Sequence, residues 1–400
     1  MTFTLLLDLD DTLLQNPLDK FLPAYVHALA DHLAQYVSPE KMIPQLMHAT
    51  DRMISKVDGC ETLETTFDED FYFPLGLQKE QLGEVLLDFY EKRYDELRSI
   101  TSPVPFSRTL IEHALKNGWR IVIATNPLFP RIAVVKRLEW AGIPASDYPY
   151  DLITAYENMH FSKPHSAYYA EILGQLGWEE GLSAMVGNSL TDDLLPSSAL
   201  GIPGYYLGND PSGLKKLSPN SAAGPLEKIL PWLDKIAEKP TQQESNNLEG
   251  ILAVLRTTPA VVQSLTGTCS RTDWRKHPIQ GEWSLLEIIC HLRDVEREVN
   301  LPRFELLKNA VNPFILGVDT DRWAVERHYN DQDESTVYTD FCMNRSKLLE
   351  IIGRYSPSEW QSTLRHSFFG PTTRQELAKF IAAHDRDHIN QISQTIAHLE

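Results

Sequence analysis

Cysteine is scarce in this 400-residue chain: Cys60, Cys269, Cys290 and Cys342 are the four present, widely separated and without paired spacing. That pattern offers no disulfide framework and fits reduced thiols in a cytosol. Basic residues are also in deficit, 37 Lys and Arg against 55 Asp and Glu, which leaves a formal charge of −18. Such a chain lacks the basic surface through which proteins hold nucleic acid or anionic membranes. No apolar run approaches the length of a membrane span, and the N-terminus enters a strand without a basic, cleavable leader. The expectation is a soluble, acidic, cytoplasmic protein, and the length calls for two to three domains.

What the chain does have is a dense set of carboxylates at the end of an apolar strand. Residues 3 to 14 read FTLLLDLDDTLL. The unbroken run Leu5 to Leu7 suits a strand buried on both faces inside a parallel sheet. The C-terminal end of such a strand is where open α/β sheets bind ligands. Alternation along the strand would aim Asp8 and Asp10 to one side, where two like charges need a cation or a shared proton. The pentapeptide alone also fits a surface acidic turn, with Asp10 or Asp11 capping a helix.

Three further polar clusters follow in order, each where a strand should end. RIVIATNPLFP, from Arg120 to Pro130, brings Thr125 and Asn126. Lys163 stands before Pro164 and a helix start. SAMVGNSLTDD, from Ser183, opens into Asn188, Ser189 and the pair Asp192 and Asp193. Each has an ordinary explanation as turn residues, an exposed lysine or helix-end charges. Four in sequence do not.

This ordered set resembles the haloacid-dehalogenase-like (HAD) superfamily over roughly residues 1 to 238. The resemblance implies a Rossmann-like parallel-sheet core at 1–14 and 101–238, with a helical cap inserted at about 15–100. It further implies Asp8 as a nucleophile forming an aspartyl-phosphate and Asp10 as the general acid and base. Thr125 would hold the transferring phosphoryl group, with Asn126 beside it on the binding side, and Lys163 would offset charge. Magnesium (Mg2+) would be held by Asp8, the backbone carbonyl of Asp10, Asn188 and Asp193. The residue types suit the chemistry, because phosphoryl transfer depends on positioning and charge neutralisation, and magnesium prefers oxygen ligands. Asp10 must be protonated when it donates, which calls for neighbours that favour the neutral acid.

The sequence departs from that pattern at Asn188, where the family more often has Asp, so Asp193 carries more weight. Asp11 replaces a frequent Gly. An Asp at position 10 argues for a phosphatase over a dehalogenase. Leu22 to Tyr36 and Glu80 to Leu97 carry helical spacing within the insert. Such a cap would exclude water and govern substrate choice. The run Phe67 to Phe73, FDEDFYF, could line the closure of that cap but reads rather as cap core, and no substrate-contacting residue is assigned there.

EKPTQQESNN, from Glu238 to Asn247, has no apolar residue, and 239–247 reads as a polar linker. From 248 to 400 the strand pattern disappears, and four amphipathic stretches near Leu248 to Ser264, Ser284 to Lys308, Asp333 to Tyr355 and Thr373 to Leu399 suggest an all-α four-helix bundle. His384 and His388 share a helical face, and His291 sits in the apolar stripe of the second helix. Three converging imidazoles can hold a divalent metal, although histidines on such faces are often hydrogen-bonded core residues.

This half resembles the DinB/YfiT group of four-helix metal-binding proteins through Gly281-Glu282-Trp283-Ser284, the segment Arg322 to Tyr329, and Gly370-Pro371-Thr372-Thr373. The resemblance implies His291, His384 and His388 as ligands of zinc, nickel or a similar ion. Cys290, diverging from His291 by about a hundred degrees, is not counted among them. Asp387 reads as an exposed helix charge. The reading is thus a phosphatase for a small phosphorylated metabolite fused to a metal-binding bundle. Two alternatives stand beside it: a bundle that carries the main chemistry as a metal-dependent thiol transferase or hydrolase, and a bundle that is structural. Pairing of two copies as a homodimer is compatible with all three.

Overall fold

The computed structural model describes residues 2–178, 182–208, 213–238 and 247–399. Residues 239–246 of the expected linker lie outside the described residues. The chain divides into two compact units, one formed by Met1–Val57, Glu61–Tyr169 and Glu180–Glu244, the other by Asp58–Cys60, Ala170–Glu179 and Ser245–Glu400.

The first unit is built on a six-stranded sheet. Its central strand, Thr4–Leu7, pairs in parallel with Arg120–Ile123 on one side and Ser183–Gly187 on the other. Leu152–Ile153 extends the first side, and Gly204–Tyr206 and Ala222–Ala223 extend the second, all in parallel. The strand order therefore reverses at Thr4–Leu7, and a crevice opens at the carboxyl ends of the strands beside it. All four residues of that strand are buried, as the uninterrupted apolar run requires.

Helices occupy most of the insert: Leu18–Leu33, Pro39–Ser55, Leu63–Phe71 and Lys79–Asp88. A π turn and a 3₁₀ turn then lead through Ile100. The chain's exit and return are tied by a short antiparallel pair, Leu14 opposite Pro103 and Gln15 opposite Ser102. Phe67 stacks on Phe71 with ring centroids 4.9 Å apart, and Phe71 and Tyr72 are buried.

In the second unit the long helices are Leu248–Thr266, Leu285–Val295, Glu334–Ile352 and Arg374–Ala397. The second of these continues through a π turn into Leu301–Leu307. Their starts are written locally. Ser284 with Glu287, and Thr373 with Glu376, each form a reciprocal capping box that satisfies orphan backbone donors. Leu285, Ile288, Ile289, Leu292, Val337 and Phe341 are among the buried core residues.

Strand is not absent here, contrary to expectation. Phe314–Ile315, Thr363–His366 and Gly370–Thr373 form a three-stranded sheet, its hairpin leading directly into the last helix. Among the described residues no helix is long and apolar enough to cross a membrane.

Candidate functional sites

Asp8 directly follows the central strand and is buried, with its N–H bonded to the carbonyl of Val186 at 3.0 Å. Beyond Leu7 the chain turns: the Leu9 carbonyl accepts from Thr12, Leu13 and Leu14. Asp11 sits in this turn with φ of 56°, a left-handed conformation that aspartate tolerates better than most residues. The position that favours Gly in the family is thus met here by Asp. The Thr12 hydroxyl donates to Asp8 Oδ2 at 2.8 Å and approaches Asn188 Oδ1 at 3.5 Å.

Lys163 bridges two buried carboxylates, its Nζ lying 2.7 Å from Asp8 Oδ1 and 2.6 Å from Asp193 Oδ1. Asp193 is held from its other side by the Ser189 N–H at 3.0 Å. Gly187 makes room for that carboxylate, since a Cβ there would collide with it. Asp192, its sequence neighbour, is exposed and bonded to the Ser189 hydroxyl at 2.9 Å. Burial works against the Lys163 ammonium, but Asp193 and Asp8 outweigh it and hold it charged. Burial pushes the Asp8 carboxyl up to about 7, Lys163 pulls it back, and Asp193 adds to the rise.

The register places Thr125 just beyond the point where the Ala124 N–H bonds to the Leu7 carbonyl, on the strand next to Asp8. Its backbone carbonyl takes hydrogen bonds from the Thr154 hydroxyl at 2.8 Å and the Tyr168 hydroxyl at 2.7 Å. Asn126 Oδ1 accepts from the Lys163 N–H at 3.3 Å. Asp8, Lys163, Asn188 and Asp193 therefore meet in one crevice, with Thr125 and Asn126 at its adjoining strand end.

Asp10 departs from expectation. Strand alternation stops at Leu7, so it does not dictate where Asp10 points. One carboxylate oxygen accepts from Asn16 Nδ2 at 2.8 Å, and the other is bonded by the buried Arg137 guanidinium. That guanidinium lies over the Phe129 ring, 4.7 Å from its centroid. The neighbour is a cation where neighbours favouring the neutral acid were expected. Arg137 and Asn16 were both missed by sequence reasoning. Arg137 reads as a surface charge on the helix Arg131–Trp140, and nothing local links it to a carboxylate 127 residues away.

The oxygen donors of Asp8, Asn188 and Asp193 suit a hard cation such as magnesium. Burial more than like charge holds the Asp8 carboxyl up to about 7, and a cation in the crevice would bring it down.

The second unit carries a nitrogen site. His384 Nε2 lies 3.2 Å from both His291 Nε2 and His388 Nε2, and the three ligand atoms cluster within 4.8 Å. Two nitrogens each about 2.05 Å from a tetrahedral ion stand roughly 3.3 Å apart, so the spacing suits a first-row metal. Burial and the neighbouring imidazoles lower His291 to about 3 and His388 to about 4, which keeps their lone pairs available. Gln391 holds His388 Nδ1 at 2.9 Å, and Trp283 lies parallel to the His388 ring. Cys290 points away, its thiol 3.7 Å from the Tyr329 carbonyl. Asp387 is exposed.

A network that sequence reasoning missed braces the ligand helix. Arg345 is buried and bonds Glu296 and Asp385, each at 2.6 Å, and the Leu255 carbonyl at 2.7 Å. The Thr258 hydroxyl donates to Asp385 at 2.7 Å. Burial alone would raise the Asp385 carboxyl, but Arg345 and His384 bring it down to about 2.

A parallel sheet with an acidic crevice at its switch point, and a helical bundle with a three-histidine cluster, define an α/β hydrolase-like domain followed by a metal-site bundle. Residues 4–201 match the family model of haloacid dehalogenase-like hydrolases, and residues 255–392 match that of the DinB superfamily. The chain therefore joins a haloacid dehalogenase-like hydrolase domain to a DinB-superfamily domain.

Solved structures with similarity include the HAD phosphatase from Thermococcus onnurineus, at 17% identity over 59% of this chain and 100% of that one, TM-score 0.38. The HAD-type protein YfnB from Bacillus subtilis, bound to magnesium, shows 20% identity over 58% and 99%, TM-score 0.36. YfiT from Bacillus subtilis, a four-helix bundle of unusual topology, shows 16% over 36% and 83%, TM-score 0.34. No curated protein matches the chain.

Proposed function

We propose that the hydrolase domain is a magnesium-dependent phosphatase for a small phosphorylated metabolite, working through an aspartyl-phosphate on Asp8. The observation that carries this is Lys163 shared between two buried carboxylates, Asp8 and Asp193, at the switch point of the sheet. A carboxylate attacks an anionic phosphoryl group only where the surrounding charge is compensated. Magnesium held by Asp8, the Asp10 carbonyl, Asn188 and Asp193 would supply further charge neutralisation.

Asp8 attacks phosphorus, the bond to the ester oxygen breaks, and Asp10 gives that oxygen its proton so that the alcohol leaves. Asp10 then takes a proton from water, whose oxygen displaces Asp8 and releases phosphate. Thr125 and Lys163 hold the transferring group. Each Asp10 oxygen accepts one hydrogen bond, from Asn16 or from Arg137, and keeps a further lone-pair site for the transferred proton.

The test is hydrolysis of a broad phosphate-ester panel with and without magnesium, in the native chain and in Asp8→Asn. Turnover that needs magnesium and is lost in the variant is expected. An inactive native chain across the whole panel would sink the reading.

For the second domain we propose a divalent metal, zinc, nickel or a similar ion, held by His291, His384 and His388. Neutral imidazoles converging at 3.2 Å favour this over a purely packed histidine cluster. Full-chain metal analysis of His384→Ala checks it: the native protein retains one equivalent of metal that the variant loses.

A further inference from the structure

Between the helical insert and the strand ends of the first unit lies a cavity of about 470 Å³. That is within the range of roughly 300–1,000 Å³ typical of small-molecule sites. Asp10 and Asn126, which belong to the proposed catalytic site, stand on its wall and place the cavity beside that site. The rest of the wall is dominated by hydrocarbon and aromatic side chains, including Leu22, Leu29, Leu46, Met47, Leu87 and Phe129. Leu22, Met47 and Leu87 are among the large apolar residues that folding leaves exposed. Their convergence on one cavity makes an apolar patch rather than scattered surface residues.

Several polar groups of the wall are already engaged. The Tyr25 and Tyr90 hydroxyls bond each other at 2.9 Å. The Thr50 hydroxyl donates back to the Leu46 carbonyl at 2.8 Å. Lys79, the one cation among the described lining residues, lies 2.6 Å from both Glu64 and Asp68 and is neutralised by them. Asp51 adds a negative charge. Apart from the Tyr72 and Tyr156 hydroxyls and Asn126, such a wall offers few partners to sugar hydroxyls, and its carboxylates would repel a second anionic group.

Gly83 marks a place where the cavity can be altered. It lies inside the helix Lys79–Asp88 on the cavity wall, where a Cβ would meet nothing within 4 Å, and its backbone is not left-handed. Glycine within a helix destabilises it relative to alanine, and no turn or close approach demands it here. The position is exposed at the edge of the cavity, so a larger side chain can be placed there without collision.

From this we infer that the substrate is a phosphate monoester of an apolar alcohol, alkyl or aromatic, with the phosphoryl group at Asp8 and the carbon body in this cavity. The inference rests on the phosphatase reading above and names its substrate class.

The test uses the full chain with magnesium and a series of n-alkyl phosphates from ethyl to octyl, with 2-naphthyl phosphate, glycerol 3-phosphate and glucose 6-phosphate alongside. We expect kcat/KM to rise by about fourfold per methylene until the cavity is filled, and naphthyl phosphate to exceed glucose 6-phosphate by at least tenfold. In Gly83→Phe the added ring stands at the cavity edge, so octyl and naphthyl phosphate should lose at least tenfold more in kcat/KM than ethyl phosphate does. A flat chain-length series, or a preference for the sugar phosphate, overturns the inference while leaving the phosphatase reading intact. No hydrolysis of any ester overturns both. The alkyl series is read on the native chain, so the result stands even if Gly83→Phe fails to fold.

Discussion

Each domain buries a cation between two carboxylates, and the two arrangements differ in how fully charge is compensated. Lys163 lies between Asp8 and Asp193, and Arg345 between Glu296 and Asp385. Arg345 presents a planar set of donors that bond both acids and a carbonyl, and Thr258 adds another bond to Asp385. Burial is overcome there and Asp385 falls to about 2. Lysine is a compact point charge, and at Asp8 burial wins, leaving the carboxyl near 7. The Arg345 triad is closed upon itself and suits a structural brace. The Lys163 triad leaves Asp8 incompletely compensated at a crevice, where an anionic substrate and a metal ion would bind.

Removing Arg345 is the severest way to break the comparison. Arg345→Met leaves Glu296 and Asp385 buried without their partner, which should cost about 3–5 kcal/mol. Asp385 shares its helix with His384 and His388, so the metal site should loosen as well. We expect a lower unfolding midpoint in denaturant and loss of bound metal, with phosphate-ester turnover retained. Loss of turnover at full stability would show that the two triads do not divide as argued.

Lys163→Met is the mirror experiment. Its carboxylate partners can relax by taking up a proton, because Asp8 already holds one well above the ordinary carboxylate range. Stability should change little. Loss of a preorganised positive group at the transferring phosphoryl should lower kcat by roughly 10²–10³-fold. Metal at the histidine cluster should be unaffected. A variant retaining more than a tenth of native turnover would remove Lys163 from the proposed chemistry.

The parts legible in the sequence were those written in local pattern. The fully apolar run Thr4–Leu7 and its carboxylate end gave the central strand, and the four-residue spacing of His384 and His388 gave their common face. The capping boxes of Ser284 with Glu287 and of Thr373 with Glu376 each mark a helix start with two residues close in sequence. The rest depended on long-range pairing. Arg137 with Asp10, and Arg345 with Glu296 and Asp385, join charges that read one by one as solvated helix faces. The two-residue strand Phe314–Ile315 is too short for any alternation to show, and it forms only because Thr363–His366 lies beside it. The partners of Asp10 were not legible, because Asn16 reaches it through the turn after Leu9 and Arg137 from a helix distant in sequence.

The finest distinction between the domains is the sign of their response to acid in metal-free protein. His291 and His388 titrate near 3 and 4 when folded, against about 6.5 in an unfolded chain. Below pH 6.5 the unfolded bundle takes up protons that the folded bundle refuses until about pH 4. Their stabilising contribution is therefore present above pH 6.5 and declines as the solution is acidified, by at most about 1.4 kcal/mol per pH unit for each histidine. Asp8 runs the other way. Its folded value near 7 exceeds the ordinary 3.8, so between those limits the folded domain holds a proton that the unfolded chain has released. That contribution is present at low pH and lost as pH rises through 7. Melting the chelator-treated full chain between pH 5 and 7.5 should thus show the bundle transition falling on acidification. The slope should be shallower in His291→Gln, which removes one buried imidazole. Over the same range the hydrolase-domain transition of native protein should shift upward on acidification relative to Asp8→Asn, in which that proton is absent. Parallel slopes in native protein and both variants would mean that neither the histidine cluster nor Asp8 has the charge environment on which the contrast between the two domains depends.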